Sequence, residues 1–318
     1  MLDSVISLMA GLMLVLQLQG NVPVTHSMNQ DVVSIDRKAF MLPFTQLPIL
    51  DIYKLEAHMS RLEGQVYRAP VNARWDEHGK IIPEKRGQRL DRQAFMESFI
   101  SYFYSNEQTQ LQIPTRTVLP KVDTSLLKEV SQKQIGAYVT YYNPRNKNRA
   151  SNIALSSKAI DNVVLFSGET FSFNQTVGER TKKRGYLPAP VIVRGELSEG
   201  IGGGICQVSS TLYNAVDKSG LKILQRYAHS RNVAYVPPGR DATVSWDGPD
   251  FRFQNRYAYP ILIRAKAIHG MMVVRVFSFS DLDYDPREVP TVRKRLPEET
   301  DQPLDNESSK LHQKLPIH

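Results

Sequence analysis

The chain has 318 residues, of which 41% are hydrophobic, so it is long enough for two domains and apolar enough for a globular core. Its formal net charge of +8 and its pI of about 9.4 favour an anionic partner, such as nucleic acid, anionic lipid or a cell-wall polymer. Lysine and arginine form no stripe with interleaved aromatic residues, so we do not expect a nucleic-acid partner.

The first 20 residues are predicted to be an export segment. Residues 5–18 carry no charge, and this length suits the hydrophobic region of a signal peptide or a short membrane anchor. Two features are atypical of a signal peptide, since Asp3 stands where lysine or arginine is expected and no Ala-x-Ala cleavage site follows. The alternative is a buried apolar helix. We therefore predict a signal peptide or membrane anchor over 1–20, and an exported protein.

A small α+β module is predicted over residues 45–132, after a proline-containing linker over 20–50. Its expected elements are a helix over 50–62, a hairpin of 71–75 with 81–82, a helix capped by Asp91, extended segments at 111–113 and 118–119, and a helix over 124–130.

A second unit is predicted over residues 135–278. Its expected elements are a strand at 138–142, a helix over 153–164, a strand at 191–193, a helix from 206 that ends at Gly220, a strand over 221–228, and hairpins of 242–246 with 251–253 and of 261–268 with 271–277. Residues 281–318 are polar and proline-rich, which predicts a disordered tail. The whole chain is thus predicted to be α+β.

The stretch GGGICQVSSTLYNA (202–215) contains Cys206, the one cysteine in the sequence. Cys206 is predicted in the first turn of a helix, where unpaired N–H groups and the helix dipole lower a thiol pKa. We interpret Gly202, Gly203 and Gly204 as a backbone that approaches a substrate and directs N–H groups at an oxyanion.

The rest of this helix suggests how the thiol is placed. A helical wheel puts Cys206 away from the core face, on the side of Ser210, and Gln207 is a candidate side-chain donor to an oxyanion. Ser210 and Ser230 are taken as further substrate-binding candidates. The alternative is that Cys206 is a small buried hydrophobe behind a tight glycine turn.

A thiol nucleophile needs a base, and His229 is the candidate because it is expected near the end of a strand. A third group would orient the imidazole. Asp241, Asp250, Asn232 and Ser230 are all open on spacing, with a weak preference for Asp241. One cysteine and scattered histidines give no metal-ligand spacing, so neither a metal nor another cofactor is expected.

Three blocks in order resemble the VanW domain. They are RASNIALSSKAIDNVVLFSGETFSFNQTVGERTKKRGY (149–186), the glycine–cysteine stretch, and HSRNVAYVPPGRDATVSWDGPDFRFQN (229–255). The resemblance covers about 135–278, and Ser167 departs from it where that family usually has proline. Residues 69–95, APVNARWDEHGKIIPEKRGQRLDRQAF, resemble the peptidoglycan-binding-type domain that often precedes VanW domains and also accompanies L,D-transpeptidases.

The resemblance implies a cell-envelope function and a fold in which the cysteine-bearing helix packs on a mostly antiparallel sheet. Some VanW-domain proteins are L,D-transpeptidases that use the domain's cysteine to form 3-3 cross-links in peptidoglycan. By motif, that cysteine is Cys206, and the family's His-Ser pair is His229 and Ser230. Peptidoglycan stem peptides and cell-wall polymers are the implied partners.

Two hypotheses from different classes follow. The first is a cysteine L,D-transpeptidase, or an L,D-carboxypeptidase if water is the acceptor. The second is a non-catalytic wall-binding or scaffold protein, in which the glycine loop holds a carboxylate or glycan. A role as an accessory protein of glycopeptide resistance is a third interpretation, which rests on gene neighbourhood alone.

Overall fold

The computed structural model describes residues 21–25, 32–43, 47–105, 111–193 and 196–292. The chain divides into two compact units between Thr124 and Ser125. The predicted export segment, residues 1–20, lies outside the described residues. Within the described ranges, no helix is both long enough and apolar enough to cross a membrane.

The first unit combines short strands with two longer helices. Its elements are β1 (Asn21–Thr25), β2 (Val32–Asp36), a 3-10 turn (Arg37–Phe40), α1 (Ile52–Val66), β3 (Arg74–Trp75), β4 (Ile81–Ile82), β5 (Gly87–Leu90), α2 (Arg92–Tyr104), β6 (Leu111–Gln112) and β7 (Thr115–Val118). The strands pair in the orders β2-β1-β6, β3-β4 and β5-β7. Only β1 with β6 is parallel among these described pairs.

Aspartate caps explain where the helices of the first unit begin. The Asp51 carboxylate accepts hydrogen bonds from the N–H groups of Tyr53 and Lys54 at the start of α1, and Asp91 accepts one from Ala94 at the start of α2. Leucine and methionine of α1 pack against the phenylalanines of α2 in one core.

The predicted helices and the β3–β4 hairpin are confirmed. The predicted linker over 20–50 is wrong, because β1 and β2 pair there and residues 35 and 40 enter the core.

Helix α3 (Thr124–Val130) forms as predicted, and all of it after Thr124 lies in the second unit. The remaining elements are β8 (Lys133–Tyr141), α4 (Lys147–Ile160), β9 (Val163–Leu165), β10 (Thr170–Ser172), α5 (Phe173–Val177), a 3-10 turn (Lys182–Arg184), β11 (Pro188–Val193), β12 (Glu196–Ile201), α6 (Ile205–Lys218), β13 (Lys222–Gln225), β14 (Arg252–Gln254), β15 (Ile261–Ile268) and β16 (Met271–Ser278).

The second unit is built on antiparallel pairing. Its described sheets have the orders β8-β16-β15-β9, β10-β14-β13 and β11-β12, and every pair in them is antiparallel. Helix α6 packs on β8 and β16. The predicted α+β class and the cysteine-bearing helix on a mostly antiparallel sheet are therefore confirmed. The β15–β16 hairpin also forms as predicted, with positive φ at His269 and Gly270.

Two predicted elements of the second unit, a helix and a strand, differ from the structure. Helix α4 starts earlier than predicted, since Asn146 caps it at the N–H of Arg149. It also ends earlier, because Asn162 has a φ of +63° and residues 163–165 then pair with β15. Residues 242–246 are not a strand, since their N–H groups bond to a serine side chain and to loop carbonyls.

The predicted disordered tail includes residues that pack on the second unit. Leu282 and Val289 belong to its core, and the Tyr138 hydroxyl donates to the Pro290 carbonyl at 2.8 Å. Residues 293–318 lie outside the described part. The expected boundaries 45–132 and 135–278 stay predictions.

Candidate active site

The glycine run before α6 requires glycine for two reasons, the backbone φ angles at two positions and steric crowding at the third. Gly202 and Gly204 have φ angles of +89° and +104°, which side chains other than hydrogen rarely allow. A Cβ on Gly203 would lie 2.5 Å from the Pro190 carbonyl oxygen. The Asn152 amide also donates to the Gly203 carbonyl at 3.0 Å. The sequence suggested that these glycines approach a substrate, but the close approach of Gly203 is to β11 of the protein itself.

Cys206 is the second residue of α6, as the sequence indicated, and its side chain is half-buried. The N–H of Ile205 donates to Gly202 at 3.2 Å, and that of Gln207 donates to Gly204 at 3.1 Å. In the described part of the chain, the N–H of Cys206 has no hydrogen-bond acceptor. This turn therefore leaves the nucleophile's own N–H available.

The polar side of α6 is not a free surface. It is buried, and it holds the segment that carries Asp241. The Ser210 hydroxyl accepts from the Ala242 N–H at 2.8 Å, and Ser209 donates to the Ala242 carbonyl. Asn214 and Arg240 exchange two hydrogen bonds of 2.8 and 2.7 Å. The helical wheel therefore identified the correct side of α6 but not its burial.

His229 and Asp241 form a close polar contact at the site. The Asp241 Oδ2 lies 2.6 Å from the His229 Nδ1 and also accepts the His229 backbone N–H at 2.6 Å. Their side chains are 6% and 8% exposed. The contact occupies Nδ1, which leaves Nε2 for the thiol. The structure thus brings Cys206, His229 and Asp241 into one array.

The ionisation of the array favours a thiolate–imidazolium pair. Burial opposes a charged thiol, but the hydrogen bond and charge of His229 outweigh it and lower the pKa of Cys206. Burial likewise opposes a charged imidazole, but Cys206 and Asp241 raise the pKa of His229. Burial also works against a charged carboxylate, yet hydrogen bonds from His229 lower the pKa of Asp241. All three net shifts favour an ionised nucleophile at neutral pH.

The other hydrogen-bond partners of the thiol come from the loop after Asp241. The Cys206 Sγ lies 3.8 Å from the Thr243 Oγ1 and 3.5 Å from the Val244 carbonyl oxygen. Thr243 is itself fixed, because its N–H donates to the Tyr227 carbonyl at 2.8 Å. This loop therefore forms one wall beside the nucleophile.

Two residues predicted to bind substrate, Gln207 and Ser210, instead form hydrogen bonds within the protein. The Gln207 amide donates to the Thr140 hydroxyl at 3.0 Å and the Tyr141 carbonyl at 2.9 Å, and it accepts from Arg149 at 2.9 Å. Gln207 is fully buried, so the interpretation of its side chain as an oxyanion donor is wrong. Ser210 holds Ala242 and is fully buried, so it supports the array rather than facing a substrate.

The remaining candidates separate by position. Ser230 and Asn232 are exposed, and neither is hydrogen-bonded to the array within the described residues. Asp250 accepts the Ser172 hydroxyl at 2.6 Å and the Asn174 N–H at 2.9 Å, and so supports the loop 245–249 instead of the imidazole. Of the four open candidates, Asp241 is the one that reaches His229.

Sequence reasoning missed several residues around the thiol. Tyr235, whose pKa burial raises well above its usual value, stays protonated beside Ser210 and the thiol. Arg180 feels the charge of Cys206, and its Nη2 donates to the Asn174 side chain at 2.7 Å. Tyr235, Arg180 and Asn174 all lie in the sequence blocks that resemble the VanW domain, and this resemblance was the available signal. Spacing along the chain alone could not show that they lie near the thiol.

Among the described residues, no group of three or more histidine, cysteine, aspartate or glutamate side chains could hold a metal ion. The His229–Asp241 pair is tied to the thiol instead.

Comparison with known proteins supports the resemblance noted in the sequence. A family model described as "VanW like protein" matches residues 148–277. The chain is 52% identical over 268 residues to "Uncharacterized protein YoaR" of Bacillus subtilis (strain 168), which covers 84% of this chain and 88% of that protein. It is 31% identical over 114 residues to "Vancomycin B-type resistance protein VanW" of Enterococcus faecalis (strain ATCC 700802 / V583), over 34% of this chain and 42% of that protein. No solved structure matches.

Proposed function

Because the chain belongs to the VanW family and its family domain holds a Cys–His–Asp array, we propose that it is a cysteine acyl-transfer enzyme of the cell wall. The substrate would be the peptidoglycan stem peptide, and the activity an L,D-transpeptidation that makes 3-3 cross-links. The proposal rests on the position of His229. Its Nδ1 contacts Asp241, and its ring lowers the pKa of the Cys206 thiol.

The first half of the reaction forms a thioester. The Cys206 thiolate attacks the carbonyl carbon of the amide between the third stem residue and the terminal D-alanine. The His229 imidazolium gives its proton to the leaving nitrogen, so the C–N bond breaks and D-alanine departs as the amine. Asp241 holds the ring in the required orientation and stabilises its charged form.

The second half releases the enzyme. The side-chain amine of a neighbouring stem attacks the thioester, His229 takes the amine proton, and the C–S bond breaks to regenerate the thiolate. An amine acceptor yields a cross-link, whereas water yields a tripeptide acid and makes the protein an L,D-carboxypeptidase.

The developing oxyanion needs a donor that the fold has left unused. The backbone N–H of Cys206 fits this role, because its two neighbours in the turn are already bonded. An oxyanion donor of this kind is worth about 3–4 kcal/mol of transition-state stabilisation where it has been removed in other enzymes. Gln207 has no such role, because its amide is committed to the core.

A cell-envelope location agrees with this chemistry. Export through residues 1–20, with the segment retained as an anchor or cleaved, would bring the protein to the wall. The net charge of +8 would attract cell-wall polymers rich in carboxylates and phosphates. We propose that the first unit helps to bind peptidoglycan, on the resemblance of residues 69–95. The name of the Enterococcus faecalis relative adds a link to vancomycin resistance.

Intact-protein mass spectrometry tests the proposal. Wild type and Cys206→Ser are incubated with a disaccharide-tetrapeptide. A transient acyl adduct on wild type alone, with release of D-alanine, supports nucleophilic catalysis at Cys206. A folded wild-type protein that binds the muropeptide but forms neither adduct nor product contradicts it, and makes the glycine loop part of a binding site.

A further inference from the structure

Arg180 is a half-buried cation whose charge has no ion-pair partner among the described residues. Its Nη1 is buried and has no hydrogen-bond partner, while its Nη2 donates to the Asn174 Oδ1 at 2.7 Å. Within the described part of the chain, Arg180 forms no ion pair with a carboxylate. A half-buried charge with one buried, unsatisfied donor is costly, so its presence favours an anionic partner.

The surroundings of Arg180 do not supply that partner. Asp250 attracts the guanidinium, but its carboxylate is bonded to the Ser172 hydroxyl and to the N–H groups of Asn174 and Phe251. Phe173 offers a ring face, with its centroid 5.7 Å from the guanidinium carbon. Burial lowers the pKa of Arg180, yet arginine remains charged at neutral pH.

Arg180 lies beside the glycine run that leads into the nucleophile. A Cβ on Gly202, at the start of the glycine run, would contact the Arg180 Cβ and Cγ at 3.4 and 3.5 Å. The charge of a Cys206 thiolate also acts on the guanidinium. The side chain of Asn174, which holds Arg180, donates to the carbonyls of Ser245 and Pro249, in the loop that continues from the thiol's neighbours.

We propose that Arg180 binds the terminal carboxylate of the residue that leaves during acyl transfer, so that the site accepts peptides with a free carboxyl terminus. In a terminal amino acid, the carboxylate is two bonds from the nitrogen that departs, so its receptor must lie close to the thiol. Arginine suits this role, since its guanidinium recognises carboxylates through paired donors. The proposal rests on the proposed acyl-transfer function for its substrate, but the charge at the thiol can be measured separately.

The first test uses alkylating reagents that differ in charge. Iodoacetate carries a carboxylate, and iodoacetamide is its neutral counterpart, so the ratio of their rates at Cys206 reports a nearby cation. We expect Arg180→Gln to lower the iodoacetate-to-iodoacetamide ratio by about tenfold, the scale of a charge-assisted hydrogen bond. Arg180→Lys should retain part of the ratio. Lys183→Gln is the matched control, because it removes the same charge from an exposed position three residues away.

The second test uses the substrate. A tetrapeptide stem and the same stem with a C-terminal amide are compared as acyl donors, with thermal melting to show that each variant is folded. We expect wild type to favour the free acid by about tenfold, and Arg180→Gln to lose that preference chiefly through KM.

The outcomes separate the two proposals. An unchanged reagent ratio in folded Arg180→Gln, or equal wild-type use of acid and amide donors, overturns the role of Arg180 while leaving acyl transfer in place. A lowered reagent ratio in a protein that forms no acyl adduct overturns acyl transfer, while the anion site beside the thiol stands. If Arg180→Gln does not fold, the ratio in Arg180→Lys and the wild-type acid-to-amide preference decide the matter.

Discussion

Asp241 holds His229 at two points, through the ring Nδ1 and through the backbone N–H, each at 2.6 Å from the same carboxylate oxygen. The backbone bond fixes where the chain passes, and the ring bond fixes the orientation of the imidazole. Arg226 also lies 3.5 Å from the other carboxylate oxygen. Because the segment around Asp241 is fastened to α6, the base is positioned by the same helix that carries the nucleophile.

Asp241→Asn should leave the protein folded but slow acyl transfer. The amide can still accept one hydrogen bond, but it cannot stabilise the imidazolium, and it disfavours the ring tautomer that the reaction needs. We expect the rate of acyl-adduct formation to fall by about 10²–10⁴-fold, as in other triads. Stopped-flow or quenched mass spectrometry measures this rate. Asp247→Asn, in an exposed turn of the same loop, is the control and should react like wild type. Equal rates for wild type and Asp241→Asn would remove Asp241 from the mechanism.

The pH dependence of Cys206 alkylation should report the influence of His229. In wild type, the lowered thiol pKa places the midpoint of iodoacetamide reactivity below that of an ordinary cysteine. In His229→Ala, the hydrogen bond and charge are lost while burial remains. Since burial disfavours the thiolate, the midpoint should move to the usual value or above it.

The control for this titration is His269→Asn. His269 lies in the β15–β16 turn with a φ of +48°, a conformation that asparagine tolerates. Its alkylation curve should overlay that of wild type. A His229→Ala curve that also overlays wild type would show that the imidazole does not activate the thiol.

The two serines that the sequence offered as substrate ligands should behave differently. Ser210→Ala leaves the Ala242 N–H without its acceptor in a buried place, which costs about 1–3 kcal/mol of unfolding free energy. It should also loosen the segment that carries Asp241 and slow acylation. Ser230→Ala removes an exposed hydroxyl and should leave the melting temperature unchanged. Chemical denaturation of both variants checks this, and equal stability losses would contradict the assigned role of Ser210.

The elements set by local signals could be predicted from the sequence. Asp91 caps its helix where the pattern placed it, and Cys206 lies in the first turn of its helix behind glycines with positive φ. Contacts distant in sequence could not be predicted with equal certainty. Spacing alone left four candidates for the partner of His229, and the structure selects Asp241 because serines on α6 hold its segment.

The sequence pattern misjudged most the burial of polar side chains around the thiol. Gln207 was taken as a substrate donor because it is polar and follows the thiol, but its amide is used by Thr140, Tyr141 and Arg149. A wheel separates polar from apolar faces, yet it does not show that another segment covers the polar one. The same limitation hid Arg180, which is far from Cys206 in sequence but close to the glycine run.

Gly203→Ala should be among the most damaging small substitutions near the site. Its φ is not in the left-handed region, but the added Cβ would lie 2.5 Å from the Pro190 carbonyl oxygen and 2.7 Å from the Ala189 carbonyl carbon. These are backbone atoms of β11, so they cannot move aside as a flexible side chain would. We expect a loss of about 1–3 kcal/mol of unfolding free energy and a displaced first turn of α6.

The matched control for Gly203→Ala is Gly64→Ala. Gly64 lies inside α1, and a Cβ there meets nothing within 4 Å. Alanine should therefore stabilise that helix by about 0.5–1 kcal/mol. Denaturation measures both changes, and iodoacetamide reactivity reports the thiol. If Gly203→Ala is as stable and as reactive as wild type, β11 does not constrain the glycine run, and the run would have the freedom to approach a substrate that the sequence first suggested.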